Sequence, residues 1–144
     1  MRSLALVVLL AAACGGTQKP SQNLMEDLRA YHEGLRWQRF EDTAARLPAS
    51  MREAFLDARD ELEDELRVDD YEITRVRFGR SEKVAHVQVK VSWHLDSVGV
   101  VHETVVEQRW EEKKRAWFLF GEKVKRGEPM PGLVAAVRSR AAAK

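Results

Sequence analysis

Residues 85–95 read AHVQVKVSWHL, and apolar and polar side chains alternate over the whole stretch. The apolar set is Ala85, Val87, Val89, Val91, Trp93 and Leu95, and the polar set is His86, Gln88, Lys90, Ser92 and His94. Successive side chains of a β-strand point to opposite faces of the sheet, so the pattern predicts a strand with one buried and one solvated face. We therefore expect His86 and His94 on the solvated face.

Further strands are predicted on both sides of this one. Each is separated from the next by a short polar turn, and short connections join strands that run antiparallel. The sequence therefore predicts a four-stranded antiparallel meander. Its predicted strands are Tyr71 to Phe78, Ala85 to Leu95, Val100 to Glu111 and Ala116 to Phe120.

Helical periodicity governs the chain before Asp70. Apolar residues recur at steps of four, three and four from Leu24 to Leu35, which predicts a first helix from Leu24 to Arg36. A shorter second helix is predicted to end before Pro48. Ser50 and Glu53 have the spacing of a capping box, so a third helix is expected to start at Ser50. Its predicted inward residues are Met51, Ala54, Phe55, Ala58, Leu62 and Leu66.

Three helices followed by a meander predict a two-layer α+β domain in which the helices cover one face of the sheet. We place this domain at residues 22–122 and a basic tail at 123–144, with a short helix predicted over Leu133 to Arg140. Residues 113–144 carry nine basic and two acidic side chains. This segment is either attracted to an anionic surface or solvated, in which case it only balances the charge of the acidic helices.

Charge is distributed unevenly along the chain. Residues 21–70 hold 14 acidic and 7 basic side chains, whereas residues 71–144 hold 9 and 15. The total is nearly balanced, which argues against a general polyanion binder, so no nucleic-acid partner is expected. The acidic run from Asp57 to Asp70 lacks the central glycine of an EF-hand loop, and a solvated helix face explains it.

The N-terminus has the pattern of a signal peptide. Arg2 precedes an apolar run from Leu4 to Leu10, which is too short to span a bilayer of roughly 30 Å. Three alanines, 11–13, then lead to Cys14, the only cysteine of the chain. We expect residues 1–13 to be removed by cleavage after Ala13.

The stretch LAAAC resembles the lipobox of bacterial lipoproteins, in which the cysteine is lipidated and becomes the new N-terminus. The resemblance implies that Cys14 anchors the chain and that residues 14–21 form a flexible tether. Lipoboxes usually have Leu three residues before the cysteine, where this chain has Ala11, and Ala11 with Ala13 also fits ordinary secretion. Gly15 in place of an aspartate implies the outer membrane, with the domain facing the periplasm.

A second resemblance concerns the domain itself. The order of helices and hairpins, the sequence AYHEGL at 30–35 before an aromatic-marked bend, and the strand WFL at 117–119 resemble the NTF2-like (cystatin-like cone) superfamily. The similarity extends over about residues 22–122 and is closest to proteobacterial lipoproteins built on this plan. It implies a cone between the helices and the sheet, and homodimers that form through the sheet.

No motif for catalysis, metal or nucleotide binding stands out, so no catalytic residue, metal or cofactor is predicted. The four histidines lack an HExxH spacing, and no phosphate-binding glycine loop occurs. His102 lies among valines of both parities, so the pattern does not decide its facing. His32 is expected at the edge of the inner helical face.

Aromatic residues supply the remaining candidate site. Set in a cone, they would either line a ligand pocket or fill the core. The predicted pocket set is Trp37, Phe55, Tyr71, Trp93, His102 and Trp117.

From these observations we expect a lipid-anchored envelope protein that binds or assembles with another envelope protein and is not an enzyme. The alternative is a pocket protein that binds a small apolar ligand, with isomerisation or dehydration of that ligand as an open variant.

Overall fold

The computed structural model describes residues 19–135. The predicted signal peptide, Cys14 and the end of the basic tail lie outside this range. The elements are α1 (Pro20–Arg36), α2 (Phe40–Ala44), α3 (Ala49–Leu62), β1 (Leu66–Phe78), β2 (Val84–Leu95), β3 (His102–Lys113) and β4 (Ala116–Gly127). The three helices precede one antiparallel sheet of order β1-β2-β3-β4, which confirms the predicted α+β class and the meander.

The alternation of residues 85–95 decides which face of the sheet is buried. Val89 on β2 pairs with Ile73 on β1 and with Val106 on β3, so apolar side chains line up across the strands. All the odd-numbered residues of β2 from Ala85 to Trp93 are buried, whereas the even-numbered residues between them are only partly buried. This inner face of the sheet lies against the helices. The opposite face is called the open face below.

The apolar stripe of α1 closes the core from the helix side. Leu24, Leu28, Tyr31 and Leu35 are all buried, as the helical spacing requires. The buried apolar residues form one cluster that extends from Leu24 to Val134. Among the described residues, the cluster begins at Leu24, so residues 19–144 contain all of the described core.

The helix boundaries differ from those predicted. The helix α1 begins at Pro20, because proline at the start of a helix loses no hydrogen bond. The predicted capping box at Ser50 is wrong: Pro48 is the N-cap of α3, with extended backbone angles, and no side chain caps the helix. Leu66 is buried, but as the first residue of β1 and not in α3.

Strands β1 and β4 are longer than the sequence pattern predicts, whereas β3 starts later than predicted. Strand β4 continues seven residues beyond Phe120, and β1 starts five residues before Tyr71. Both extensions pair with long neighbours, which continue the ladder past the point where apolar alternation fades. In contrast, β3 starts at His102, and Val100 and Val101 are exposed in the preceding loop.

After β4 the chain turns back and passes beside β4 and α3 as residues 128–135, with a turn at 131–132. We call this segment the C-terminal strap. Met130 and Val134 of the strap are buried. Ala135 forms an isolated parallel bridge with Glu122. Leu133 to Ala135 are therefore not helical, and the remainder of the helix predicted to Arg140 lies outside the described residues.

Candidate functional site

The six aromatic residues predicted for a pocket do not meet in one place. Trp37 is 63% exposed, and its Nε1 donates a hydrogen bond of 2.8 Å to Glu33. Trp117 is fully buried near Phe78, with ring centroids 6.0 Å apart. Trp117 thus lies at the opposite end of the sheet from Trp93 and His102. Trp37, on the surface, shares the Glu33 carboxylate with Tyr71.

Trp93 and His102 form a pair at the far end of the sheet. They are opposite each other in the β2/β3 register, and their rings stack with centroids 4.6 Å apart. This contact places His102 on the inner face, where the sequence alone left its direction undecided. The buried Trp93 Nε1 donates to Thr104 Oγ1 at 2.8 Å, so the indole is satisfied within the sheet.

Phe55 and Tyr71 lie nearer the centre, on either side of two adjacent residues of α1. The Tyr71 ring stacks on His32 at 4.8 Å, and the Phe55 ring lies 6.5 Å from that of Tyr31. His32 and Tyr31 are both buried. The centre of the inner face therefore carries polar groups, among them His32, which the sequence placed at the edge of the inner helical face.

A buried hydrogen-bond chain runs through this centre. Gln108 Oε1 accepts from Trp110 Nε1 at 3.0 Å and lies 3.3 Å from His32 Nε2. Because an amide oxygen only accepts, His32 Nε2 carries the proton, and its Nδ1 is left as an acceptor. Gln108 Nε2 donates to Glu122 Oε1 at 2.8 Å, and Glu122 Oε2 accepts from the Val134 backbone N–H at 2.8 Å.

Burial has the largest effect on the pKa values of these hydrogen-bonded groups. It lowers the pKa of His32 from 6.5 to about 4, with partial compensation by Gln108 and Glu33. Burial also raises the pKa of the Glu122 carboxyl, against the hydrogen bonds that favour its charged form. The pKa of Tyr31 is raised well above its usual 10.0 for the same reason. At neutral pH, His32 is therefore a neutral group with little basicity.

Several polar atoms of the core lack partners. Within residues 19–135, no hydrogen bond is made by buried Tyr31 Oη, His32 Nδ1, Arg59 Nε or Trp117 Nε1. Unsatisfied buried polar atoms cost free energy, about 1–3 kcal/mol each, and call for an explanation. Three of them, on Tyr31, His32 and Arg59, belong to the central region beneath the C-terminal strap.

Arg59 ties α3 to the C-terminal strap. Arg59 is only 2% exposed. Its Nη2 donates a hydrogen bond of 2.8 Å to the Gly132 carbonyl, and its guanidinium carbon lies 5.2 Å from the centre of the Phe55 ring. No ion pair is formed by Arg59 with any carboxylate of the described part of the chain. Its charge lowers the pKa of Glu122 and Tyr31, but only against the larger effect of burial.

An apolar groove of about 360 Å³ runs between α3 and the C-terminal strap, and we call it the α3 groove. Phe55 and Gly132, both in contact with Arg59, belong to its wall. Its volume is near the lower end of the range for small-molecule pockets, roughly 300–1,000 Å³. The lining residues are Ser50, Met51, Ala54, Phe55 and Ala58 on α3, and Gly132, Leu133, Val134 and Ala135 on the strap.

The open face of the sheet has a different chemistry. Glu107 lies there among three cationic or titratable groups, with Arg77 at 3.9 Å, Lys125 at 3.8 Å and His86 at 3.8 Å. Two adjoining shallow grooves, of about 150 and 130 Å³, share His86 and Glu107. We call this surface the cationic face. Its basic residues are Arg75, Arg77, Arg109, Lys123 and Lys125.

Among residues 19–135, no three His, Cys, Asp or Glu side chains form a group that could hold a metal ion. No helix of this range is both long enough and apolar enough to span a bilayer.

A scan against protein-family models finds no match to this chain, and a search of curated proteins finds no significant match. Functional inference therefore rests on the residues themselves. The sequence analysis missed Gln108, Glu122 and Arg59. Gln108 was within reach, because it alternates with Val106 and Trp110 on β3. Glu122 could not be predicted, because β4 has a register irregularity opposite Arg109 and Trp110. This irregularity places the even-numbered Glu122 on the same face of the sheet as the odd-numbered Leu119.

Proposed function

We propose that this chain is a lipid-anchored protein of the bacterial cell envelope whose domain is an NTF2-like cone. The domain binds an envelope protein partner and is not an enzyme. The lipobox-like LAAAC and the polar residues 15–19 support the anchor. Three helices that precede and cover a four-stranded antiparallel sheet are compatible with the cone.

The observation that carries the binding proposal is the cationic face. Five permanent cations, with only two carboxylates, Glu107 and Glu111, lie on a sheet surface that no described helix covers. Uncompensated charge of one sign steers and orients a partner of the opposite sign. The partner we propose therefore presents an acidic surface to β1, β2, β3 and β4.

The geometry of the anchor supports the same orientation. Lys19 and Ser21 lie beside Phe78 and Glu82, so α1 starts next to the β1/β2 turn. Four residues lie between Cys14 and Lys19, and the five residue-to-residue steps that join them reach at most about 18 Å. Membrane attachment at Cys14 would hold this end of the sheet close to the lipid surface, and the cationic face starts at Arg77, next to Phe78.

Charge reversal tests the binding proposal in the full-length chain. Arg77 and Lys125 are both exposed, so their double replacement by Glu leaves the core intact. Replacement of the exposed Arg29 and Arg39 by Glu is the matched control, with the same change in net charge on the helix side. After crosslinking in cells, we expect to recover an acidic envelope protein with the native chain and with the control. The same protein should be lost with Arg77→Glu/Lys125→Glu. Identical recovery with all three chains contradicts the proposal.

A homodimer through the sheet remains a prediction. Phe118 and Phe120 are half-buried on the open face, as the alternation of β4 predicts, and would favour it. A two-fold contact centred on Glu107 would, however, bring two cationic faces together. Light scattering of a chain of residues 19–144 tests it, and a monomer at all concentrations would exclude this dimer.

The α3 groove favours a second candidate function, the binding of a small apolar ligand. Its wall is formed by apolar side chains of α3 and the C-terminal strap. Native mass spectrometry of residues 19–144, purified without detergent, tests this candidate. A co-purifying small-molecule adduct would support it, and a chain without an adduct at any expression level would oppose it.

A further inference from the structure

Arg59 is a buried cation whose charge is not balanced by an ion pair. Burying a guanidinium is costly unless it is paired with an anion and its N–H groups are satisfied. Within residues 19–135 it forms one hydrogen bond, to the neutral Gly132 carbonyl, and its Nε has no partner. The Arg59 guanidinium therefore retains an N–H group that is free to donate to an anionic acceptor.

The carboxylate of Glu122, which interacts electrostatically with Arg59, is already engaged in other hydrogen bonds. Glu122 accepts from Gln108 Nε2 with one oxygen and from the Val134 N–H with the other. Both donors are neutral, and burial favours the uncharged form of this carboxyl. Glu122 thus interacts with Arg59 electrostatically but forms no ion pair with it.

The space next to Arg59 is apolar. Arg59 packs on Phe55, and a Cβ atom placed on Gly132 would lie 3.3 Å from its guanidinium carbon. Phe55 and Gly132 are both wall residues of the α3 groove. Arg59 does not line the groove itself but lies directly behind this part of its wall. A ligand with an apolar body and one acidic head, which displaces the Gly132 carbonyl, matches this arrangement.

We infer that the α3 groove binds a single-chain apolar carboxylic acid, whose carboxylate pairs with Arg59 in exchange for the Gly132 carbonyl. This inference rests on the second function proposed above and names its ligand class. A carboxylate is a stronger acceptor for guanidinium than a peptide carbonyl, and it can take two N–H groups at once. The groove volume of about 360 Å³ suits one medium-length chain.

The test compares three probes of equal chain length on a chain of residues 19–144: decanoate, decanol and decyltrimethylammonium, each below its micelle concentration. Calorimetry should show decanoate binding at least about tenfold more tightly than decanol, because a hydrogen bond between two charged groups is stronger than one to a neutral hydroxyl. The cationic probe should bind more weakly than decanol. Equal affinities for decanoate and decanol would overturn the role of Arg59 but leave the apolar-ligand function standing. Absence of binding by all three would overturn both.

Variants locate the effect. Arg59→Met should reduce decanoate affinity to that of decanol, whereas Arg59→Lys should retain part of the preference and Arg29→Met all of it. The affinity for decanol should be unchanged in Arg59→Met, which a general loss of structure would not allow. Methyl NMR shifts induced by decanoate should centre on Ala54, Ala58 and Leu133, and shifts confined to other surfaces would overturn the inference. The three-probe comparison decides the inference even if Arg59→Met does not fold.

Discussion

His32 and His94 show how the surroundings of a single residue set its proton affinity. His32 is buried on the inner face, and desolvation lowers its pKa to about 4. His94 lies on the solvated face, where the hydrogen bond from its ring to Asp69, 2.8 Å long, raises its pKa above 6.5. The alternation of β2 predicted the exposure of His94, but no sequence pattern revealed its carboxylate partners.

These two histidines should titrate on opposite sides of pH 6.5. In an NMR titration, the His94 ring signals are expected to shift above that pH and those of His32 only near pH 4. The variant Asp69→Asn serves as a control, because it should lower the His94 midpoint without affecting His32. Coincident midpoints for both rings would contradict the described burial.

Stability should fall with acidity because of His32. Above pH 6.5, His32 is unprotonated in both the folded and the unfolded chain. Between pH 6.5 and about 4, it is protonated in the unfolded chain but not in the folded chain. This difference removes about 3 kcal/mol from the free energy of unfolding as the pH falls through that window. Glu122, with a raised pKa, acts in the opposite direction, so stability associated with it falls as the pH rises.

Urea unfolding of the native chain and of His32→Gln isolates the histidine contribution, because Glu122 is common to both. Stability of the native chain relative to the variant should drop by about 3 kcal/mol between pH 7 and pH 4. A relative stability that does not change with pH would refute the neutral, buried state of His32.

At the scale of elements, the contact between α1 and α2 depends on the absence of a side chain at Gly34. A Cβ there would lie 2.1 Å from Thr43 Oγ1, closer than any two such atoms can approach. The Thr43 hydroxyl in turn donates to the Arg39 carbonyl at 3.0 Å, which fixes the turn between the helices. Glycine is thus required at this position for packing.

Gly34→Ala should destabilise the domain by about 1–3 kcal/mol, despite the better helix propensity of alanine. Gly79→Ala is the matched control, since a Cβ at Gly79 meets only ordinary contacts at 3.5 Å and longer. Thermal unfolding should show a clear decrease in Tm for the first variant and little change for the second. Equal Tm values for the two variants would show that α1 and α2 are not so closely packed.

The elements differ in how far the sequence could predict them. The stripe of α1 and the alternation of β2 identified their buried faces correctly, because burial there depends only on helical or strand periodicity. The capping box failed because Pro48 already supplied the extended N-cap conformation. The polar centre of the inner face escaped prediction because it depends on a β4 irregularity and on the C-terminal strap, both of which are set by tertiary contacts.

At the scale of the whole molecule, the C-terminal strap completes the core that the helices and sheet leave open. Met130 and Val134 are buried, and backbone groups of the strap form hydrogen bonds with Glu122 and with one nitrogen of Arg59. Thr104 Oγ1 also donates to the Glu128 carbonyl at the start of the strap. The strap thus belongs to the domain, which the sequence analysis ended at residue 122.

Truncation after Gly127 should therefore lower the free energy of unfolding by about 3–5 kcal/mol, since each buried side chain contributes about 1.5–3 kcal/mol. Truncation after Ala135 is the control, because it removes no described residue. Denaturant unfolding of the two shortened chains measures the difference. Equal stability would show that the strap does not contribute to the core.

The central claim is that this chain is anchored in the envelope through Cys14, and the intact mass of the protein recovered from bacterial membranes tests it most directly. The account predicts a chain that begins at Cys14 and carries the mass of covalently attached acyl chains, with Cys14→Ser released from the membrane fraction. A chain with an unmodified thiol at Cys14, or membrane association that Cys14→Ser leaves unchanged, would contradict it.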